Sequence, residues 1–109
     1  MTHFALSDLL AKQQESKRSY LEFLRVPALS SGLYVLRAGA VDPQRPHGED
    51  EVYYVVKGRG SFQAGEESCS VEAGTILFVP ARQEHRFHSI TEELTLLVSF
   101  APAEQNTGS

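Results

Sequence analysis

Residues 46–58 read PHGEDEVYYVVKG, and this stretch decides the fold class. Its second half is rich in valine and tyrosine, which suit a pleated and partly buried strand, and it ends at a glycine. His47 lies four residues before Glu51, and positions two or four apart on an extended strand share one face. The stretch therefore predicts a β-strand that carries an imidazole and a carboxylate on the same side.

Short apolar runs of the same kind fill the chain beyond Ser19. Eight are recognisable, at residues 20–26, 32–38, 52–57, 61–64, 67–71, 75–79, 85–90 and 94–100. Glycine, proline and acidic turn signals separate them, for example at 58–60 and 91–93. No helical crossover of sufficient length lies between them, so the pattern predicts an antiparallel sandwich or barrel.

The two ends of the chain differ from this pattern. Residues 6–16 predict a short amphipathic helix, with Leu6, Leu9 and Leu10 as its apolar stripe and Ser7 or Asp8 as its cap. The small, polar residues 102–109 are expected to fray. The predicted organisation is a helical segment at 1–18, a barrel at 19–101 and a flexible tail at 102–109.

Composition excludes several classes of protein. The 109 residues suffice for one domain, with 41% hydrophobic residues, 22% charged residues and a net charge of −4. No basic stripe predicts nucleic-acid binding, and no apolar run approaches the roughly 18 residues of a membrane span. One cysteine, Cys69, excludes an internal disulfide, and the N-terminus has no secretory signal pattern. The expected location is the cytoplasm.

Three side chains are candidate metal ligands: His47, Glu51 and His85, which begins another predicted strand. Two imidazoles and a carboxylate form the facial triad that holds Fe(II), and the same donors accept Mn(II), Ni(II) or Zn(II). Three protein ligands leave positions open for water or substrate. Glu49 shares the predicted strand face and is an alternative ligand. The competing interpretation is a His–Glu pair that is joined only by hydrogen bonds or exposed to water.

The opening stretch resembles the first motif of the cupin family. That motif runs Gly, five residues, His-x-His, three or four residues, Glu, six residues, Gly. Here His47, three residues, Glu51, six residues and Gly58 keep its register. Arg45 stands at the position of the motif's leading histidine, and Gly39 is the best match for its first glycine.

A later stretch, GTILFVPARQEH, resembles the second cupin motif. That motif runs Gly, five residues, Pro-x-Gly, two residues, His, three residues, Asn. Gly74, Pro80 and His85 keep its register, whereas Arg82 stands at the second glycine and Ser89 at the asparagine. Together the two motifs span roughly half of the chain.

The resemblance implies an all-β cupin jelly-roll barrel, here with a short N-terminal helix. It also implies one divalent metal ion (Fe, Mn, Ni or Zn), for which the chain offers the three ligands His47, Glu51 and His85. Cupins include dioxygenases, isomerases and decarboxylases, so a metal-dependent oxidoreductase or isomerase acting on a small polar or anionic molecule is expected. In such an enzyme Tyr53 could donate a proton, and an inward-facing Arg45 could orient the substrate.

Two alternatives to a metal enzyme stay open. One is a metal- or metabolite-binding sensory cupin without turnover, and the other is a metal-free cupin of the epimerase type. Because a small barrel leaves apolar faces uncovered, a homodimer through residues 6–26 is also expected.

Overall fold

The computed structural model describes residues 1–44 and 46–105. The described chain contains one helix, α1 (Leu6–Ser16), followed by six strands. These are β1 (Tyr20–Val26), β2 (Leu29–Leu36), β3 (Asp50–Ala64), β4 (Glu67–Glu72), β5 (Ile76–Val79) and β6 (His85–Ala101). The predicted all-β jelly roll with a short N-terminal helix is confirmed. Within the described residues, no helix has the length and apolar character needed to cross a membrane.

All strand pairs are antiparallel, in the order β1-β2-β6-β3-β4, with β5 also paired to β3. The first part of β3 pairs with β5, and its last part pairs with β4. Strand β6 pairs with β3 along both parts. The two long strands therefore run through both layers of the jelly roll and join them.

Strands β3 and β6 each merge two predicted runs, so the expected turns at 58–60 and 91–93 are corrected to bends within continuous strands. The β3–β6 register shifts three times between Val55 and Ser61, as it does at β-bulges. Gly58 has a φ of 103°, and a Cβ atom there would overlap the backbone carbonyl of Glu93. The glycine thus lets two strands bend together, where a turn would have separated them.

Helix α1 has the predicted bounds but a different cap. Its N-cap is Ala5, and neither Ser7 nor Asp8 supplies a side-chain cap. Leu9 is buried, whereas Leu6 is 42% exposed. At the C-terminal end, Gln13 donates hydrogen bonds from Nε2 to two backbone carbonyls just before β1. That buried amide fixes the helix against the sheet.

The barrel core follows the two-residue alternation of the strands. On β3, Glu51, Tyr53 and Val55 are buried, while Val52 and Tyr54 face outward. The core contains Leu36, Tyr53, Val55, Phe62, Val71, Val79, Phe87, Ile90, Leu94, Leu96, Val98 and Phe100. The Glu51 carboxylate thus lies on the face of β3 that forms the core, near the first residue of the strand.

The chain after β6 packs back on the barrel, in contrast to the expected free tail. Ala103 and Glu104 are buried. The Ala103 amide donates to the Pro27 carbonyl, and the Glu104 amide donates to Ser30 Oγ. These bonds satisfy buried polar groups that composition alone does not reveal. The remainder of the predicted tail, residues 106–109, lies outside the described residues.

Candidate functional site

A small cavity of about 110 Å³ opens at one end of the barrel. Its walls come from the start of β1, from β2, β3 and β6, from the loop before β3 and from the segment after β6. The larger polar side chains that line it are Tyr20, Tyr34, Gln44, His47, Glu51, Tyr53 and Glu104. The cavity thus combines several hydroxyl groups with two carboxylates and an imidazole.

The three predicted metal ligands lie in one neighbourhood. Glu51 is the second residue of β3 and is 1% exposed, and His85 begins β6. Glu51 Oε1 lies 3.2 Å from His85 Nε2. His47 belongs to the loop before β3 and lines the same cavity as Glu51. Its Nδ1 lies 3.9 Å from Glu49 Oε1, so the alternative ligand Glu49 is also near.

These donors do not meet on one point. The ring centroids of His47 and His85 are 6.5 Å apart, whereas two imidazoles on adjacent positions of one ion are separated by roughly 5 Å. Accordingly, the described part of the chain contains no group of three or more His, Cys, Asp or Glu residues already arranged to hold a metal ion. The side chains would have to draw together around an ion.

The ring of His85 has a defined orientation. Its Nδ1 lies 2.8 Å from the Gln83 carbonyl oxygen, which only accepts hydrogen bonds, so Nδ1 carries a proton. Nε2 therefore faces the cavity side, near Glu51. Burial lowers the pKa of His85, but the adjacent Glu51 carboxylate and the hydrogen bond to the Gln83 carbonyl outweigh this effect, and the pKa is raised overall.

Two residues that the sequence analysis did not select hold this arrangement in place. Asp42 accepts hydrogen bonds from the Tyr34 hydroxyl (2.9 Å), Gln44 Nε2 (2.7 Å) and the Phe87 amide (2.9 Å). Because Gln44 Nε2 points at a carboxylate, its Oε1 points the other way, 3.2 Å from His85 Nε2. In the sequence Asp42 precedes a proline, a pairing typical of turns that gives no hint of burial.

The tyrosines of the cavity are protonated hydrogen-bond donors. The Tyr53 hydroxyl donates to Gln44 Oε1 at 2.7 Å and lies 3.1 Å from His85 Nε2. Burial and then the Glu51 carboxylate raise the pKa of Tyr53 well above its usual range. Burial is also the main cause of the raised pKa of Tyr20. The buried Tyr20 hydroxyl has no hydrogen-bond partner among the described residues.

Glu104 is a site residue that the sequence analysis missed. It lines the cavity, and its Oε2 lies 3.5 Å from His47 Nδ1. Burial, followed by the nearby Glu51 and Glu49 carboxylates, raises its pKa to about 7. It was missed because a small, polar terminal segment gives no signal of packing.

The motif positions that depart from the cupin pattern are structurally informative. Arg82 has a φ of 67° and Ser89 a φ of 50°, which are left-handed conformations that favour glycine and asparagine. The Arg82 amide also donates to the His47 carbonyl at 2.6 Å, which anchors the loop that carries this predicted ligand. Arg45 lies outside the described residues, so its predicted role in the cavity stays a prediction.

Comparisons with known proteins agree with the motifs. A family model described as a cupin domain matches residues 32–100. The uncharacterized protein SCO3923 of Streptomyces coelicolor is 45% identical over 104 residues, which cover 95% of this chain and 99% of that protein. Among solved structures, TT1209 from Thermus thermophilus matches with a TM-score of 0.72 and 27% identity over 94% of this chain and 99% of that one. KdgF from Halomonas sp. matches with a TM-score of 0.73 and 19% identity over 80% of each chain.

Proposed function

Since the chain belongs to the cupin family, we propose that it binds one divalent metal ion through His47, Glu51 and His85. We further propose that the metal-loaded protein is an enzyme for a small polar or anionic organic molecule. One observation carries the proposal. Both carboxylate oxygens of Glu51 are buried without a hydrogen-bond partner among the described residues, and the side chain lines the cavity. A buried carboxylate in that state is costly unless it gains a proton or a cation, and we propose that the cation is a divalent metal ion beside His85 Nε2.

The donor set fits such an ion. Metal-binding histidines commonly donate their second ring N–H to a carbonyl or carboxylate, which fixes the tautomer, and His85 does so through Gln83. In the neutral ring, Nε2 then offers its lone pair beside the Glu51 carboxylate. Mixed nitrogen and carboxylate donors suit Fe, Mn, Ni or Zn, so the ion is named only by this class.

The cavity limits the substrate to a small molecule with polar groups. A bound divalent ion supplies a Lewis acid that polarises a substrate oxygen. The protein supplies the walls: the unpartnered Tyr20 hydroxyl binds an acceptor atom, and the apolar side chains of Val98 and Phe100 exclude water. The Tyr53 hydroxyl, protonated and close to His85, is the proposed proton donor. Arg45 is proposed to orient an anionic substrate.

Metal analysis of protein purified without a histidine tag tests the site. We expect about one ion per chain, lost in Glu51→Ala and retained in Glu66→Ala, an exposed glutamate of the β3–β4 turn. Unchanged metal content in Glu51→Ala would show that the ligand assignment is wrong. Oxygen uptake after iron addition, across phenols, keto acids and thiols, then tests turnover. A bound ion with no turnover on any substrate class would favour a binding or sensory module.

A metal-free acid–base enzyme is the second candidate, and one contact favours it. The Tyr53 hydroxyl and His85 Nε2 are 3.1 Å apart, so an acid and a base already touch inside the barrel. Such an enzyme would keep full activity after dialysis against a chelator. A metal-dependent enzyme would lose its activity there and regain it on addition of the ion.

We also propose a homodimer through residues 6–26. Leu6 and Val26 are exposed, as is the neighbouring Phe4, which packs edge-on against Phe23 with centroids 5.0 Å apart. Light scattering coupled to size-exclusion chromatography tests the state, and a monomer would contradict the proposal. A second exposed apolar patch lies on β3 and β5, so Leu6→Ser and Phe78→Ser are compared. Only Leu6→Ser is expected to weaken the dimer.

A further inference from the structure

The segment after β6 is held beside the cavity by its backbone. The Glu104 amide donates to Ser30 Oγ at 2.9 Å, and the Glu104 carbonyl accepts from Arg25 Nη2 at 2.6 Å. One residue earlier, the Ala103 amide donates to the Pro27 carbonyl at 3.2 Å. Because these bonds use backbone groups on both sides of Cα, the Glu104 side chain is left free to serve another purpose.

That side chain points into the cavity of the proposed metal site. Glu104 is 5% exposed, it lines the cavity with Glu51, and its Oε2 lies 3.5 Å from His47 Nδ1. Two ligands of one ion, each bonded at about 2.1 Å, can lie up to about 4.2 Å apart. The Glu104 carboxylate and the His47 ring are therefore close enough to share an ion.

The charge balance of the region calls for a cation. The carboxylates of Glu49, Glu51 and Glu104 are all buried, and three of the oxygens of the first two have no hydrogen-bond partner among the described residues. No lysine or arginine is among the described residues that line the cavity. The nearby Arg25 side chain is engaged with Glu22 and with the Glu104 carbonyl. Buried carboxylates without positive partners are costly unless a cation joins them.

We propose that Glu104 is a fourth protein ligand of the metal site, in place of the histidine that the first motif lacks. The proposal rests on the proposed metal-binding function. Two carboxylates, from Glu51 and Glu104, would balance the charge of a divalent ion, and they add oxygen donors to the two imidazoles. Oxygen donors suit Mn(II), which therefore becomes the probe of choice.

Titration of Mn(II) into the metal-free 109-residue protein tests the proposal by calorimetry. Glu104→Gln keeps the backbone bonds and the side-chain volume but removes the anionic donor. Loss of partners outside the ligand shell already weakens metal sites by about 10–100-fold, so at least a tenfold weaker affinity is expected. Glu104→Asp is expected to recover part of the affinity. Glu66→Gln, a change at an exposed glutamate, is expected to leave binding as in the unchanged chain.

Water-proton relaxation of the Mn(II) complex provides a readout that does not depend on affinity. An octahedral ion has about six positions, so four protein ligands leave about two waters and three ligands leave about three. We expect about two waters in the unchanged protein and about three in Glu104→Ala, which removes both oxygen donors. A variant that loses only stability would change its thermal midpoint without changing the water count.

The outcomes separate the two proposals. If the unchanged chain binds no Mn(II) and no other divalent ion, both proposals are overturned. If the unchanged chain binds Mn(II) with three waters, or if Glu104→Gln binds with equal affinity, the role of Glu104 is overturned and the metal site stands. The same conclusion follows if Glu49→Gln weakens binding and Glu104→Gln does not.

Discussion

Replacement of Asp42 is expected to destabilise the protein strongly, although this residue lies in a loop. Its carboxylate is buried and accepts three hydrogen bonds, from the Tyr34 hydroxyl, the Gln44 side-chain amide and the Phe87 backbone amide. The first donor belongs to β2 and the last to β6. Asp42 thus joins two strands to the loop that leads to His47 and Glu51.

The magnitude follows from what each donor can do after Asp42→Ala. The buried amide of Phe87 cannot form a hydrogen bond to water instead, and an unsatisfied buried group of this kind costs about 1–3 kcal/mol. Tyr34 and Gln44 are half-buried, and each loses a hydrogen bond to a charged acceptor. Because water can partly replace that acceptor, each loss lowers the free energy of unfolding by about 1 kcal/mol. The sum is about 3–5 kcal/mol, a large share of the stability of a small domain.

Asp42→Asn is the informative companion variant. Its carbonyl oxygen can still accept from Gln44 and Phe87, while its NH₂ group faces the Tyr34 hydroxyl, which can rotate and accept. Only the charge of the acceptor is then lost, so about 1–2 kcal/mol is expected. Asp50→Ala is the control, because the exposed Asp50 accepts one bond, from the Ala81 amide at 2.8 Å, and should cost less than about 1 kcal/mol.

Urea unfolding of the metal-free proteins, followed by circular dichroism, measures all three variants. The reasoning predicts a graded loss of the free energy of unfolding, largest for Asp42→Ala, smaller for Asp42→Asn and smallest for Asp50→Ala. A loss below about 1 kcal/mol for Asp42→Ala would refute it. So would equal losses in Asp42→Ala and Asp42→Asn, since the accepting oxygen would then be irrelevant.

Further predictions concern the bend, the cavity and the surface. Gly58→Ala should abolish stable folding or lower the free energy of unfolding by more than about 3 kcal/mol in thermal unfolding, because it combines positive φ with a backbone overlap at Glu93. Gly39→Ala, at a position with positive φ but open space around it, should cost only about 1 kcal/mol. Tyr53→Phe should lower the free energy of unfolding in urea by about 1–3 kcal/mol, since the ring packing survives and only the buried hydroxyl bond is lost; a neutral result would mean that the bond is not formed. Arg59→Ala should change stability by less than about 1 kcal/mol, because its two ion pairs are long and exposed, and a larger loss by the same assay would contradict this.

The sequence predicted the strands well where alternation of apolar residues reports one buried face. The prediction failed where two predicted strands are in fact one. The glycine and acidic clusters at 58–60 and 91–93 resemble turns, yet they are bends within the long paired strands β3 and β6. Local composition carries no information about whether the neighbouring strand bends at the same place. Only the pairing of β3 with β6 decides it, and that pairing joins residues far apart in the chain.

The sequence predicted those residues of the candidate site that belong to the two motifs. The register of the motifs identified His47, Glu51 and His85, whose neighbourhood the structure describes. Asp42, Gln44 and Glu104 were missed, because their roles depend on contacts with distant segments that no spacing rule encodes. At two motif positions the residue changes but the backbone conformation does not. Arg82 and Ser89 keep the left-handed backbone that glycine and asparagine favour, so the fold tolerates the residue change at the cost of local strain.

The atoms around His85 Nε2 restrict what the cavity can hold. Its neighbours are three oxygens: Glu51 Oε1 at 3.2 Å, Gln44 Oε1 at 3.2 Å and the Tyr53 hydroxyl at 3.1 Å. The Gln44 oxygen and the Glu51 carboxylate accept hydrogen bonds, and Nδ1 already carries the proton of the neutral ring. The Gln44 oxygen already accepts from the Tyr53 hydroxyl, so the Glu51 carboxylate is the group left to be compensated, by a proton shared with His85 or by a metal ion that replaces it. A wholly apolar ligand would leave the Glu51 oxygens without a partner, so this site favours cations and molecules that bring donors of their own.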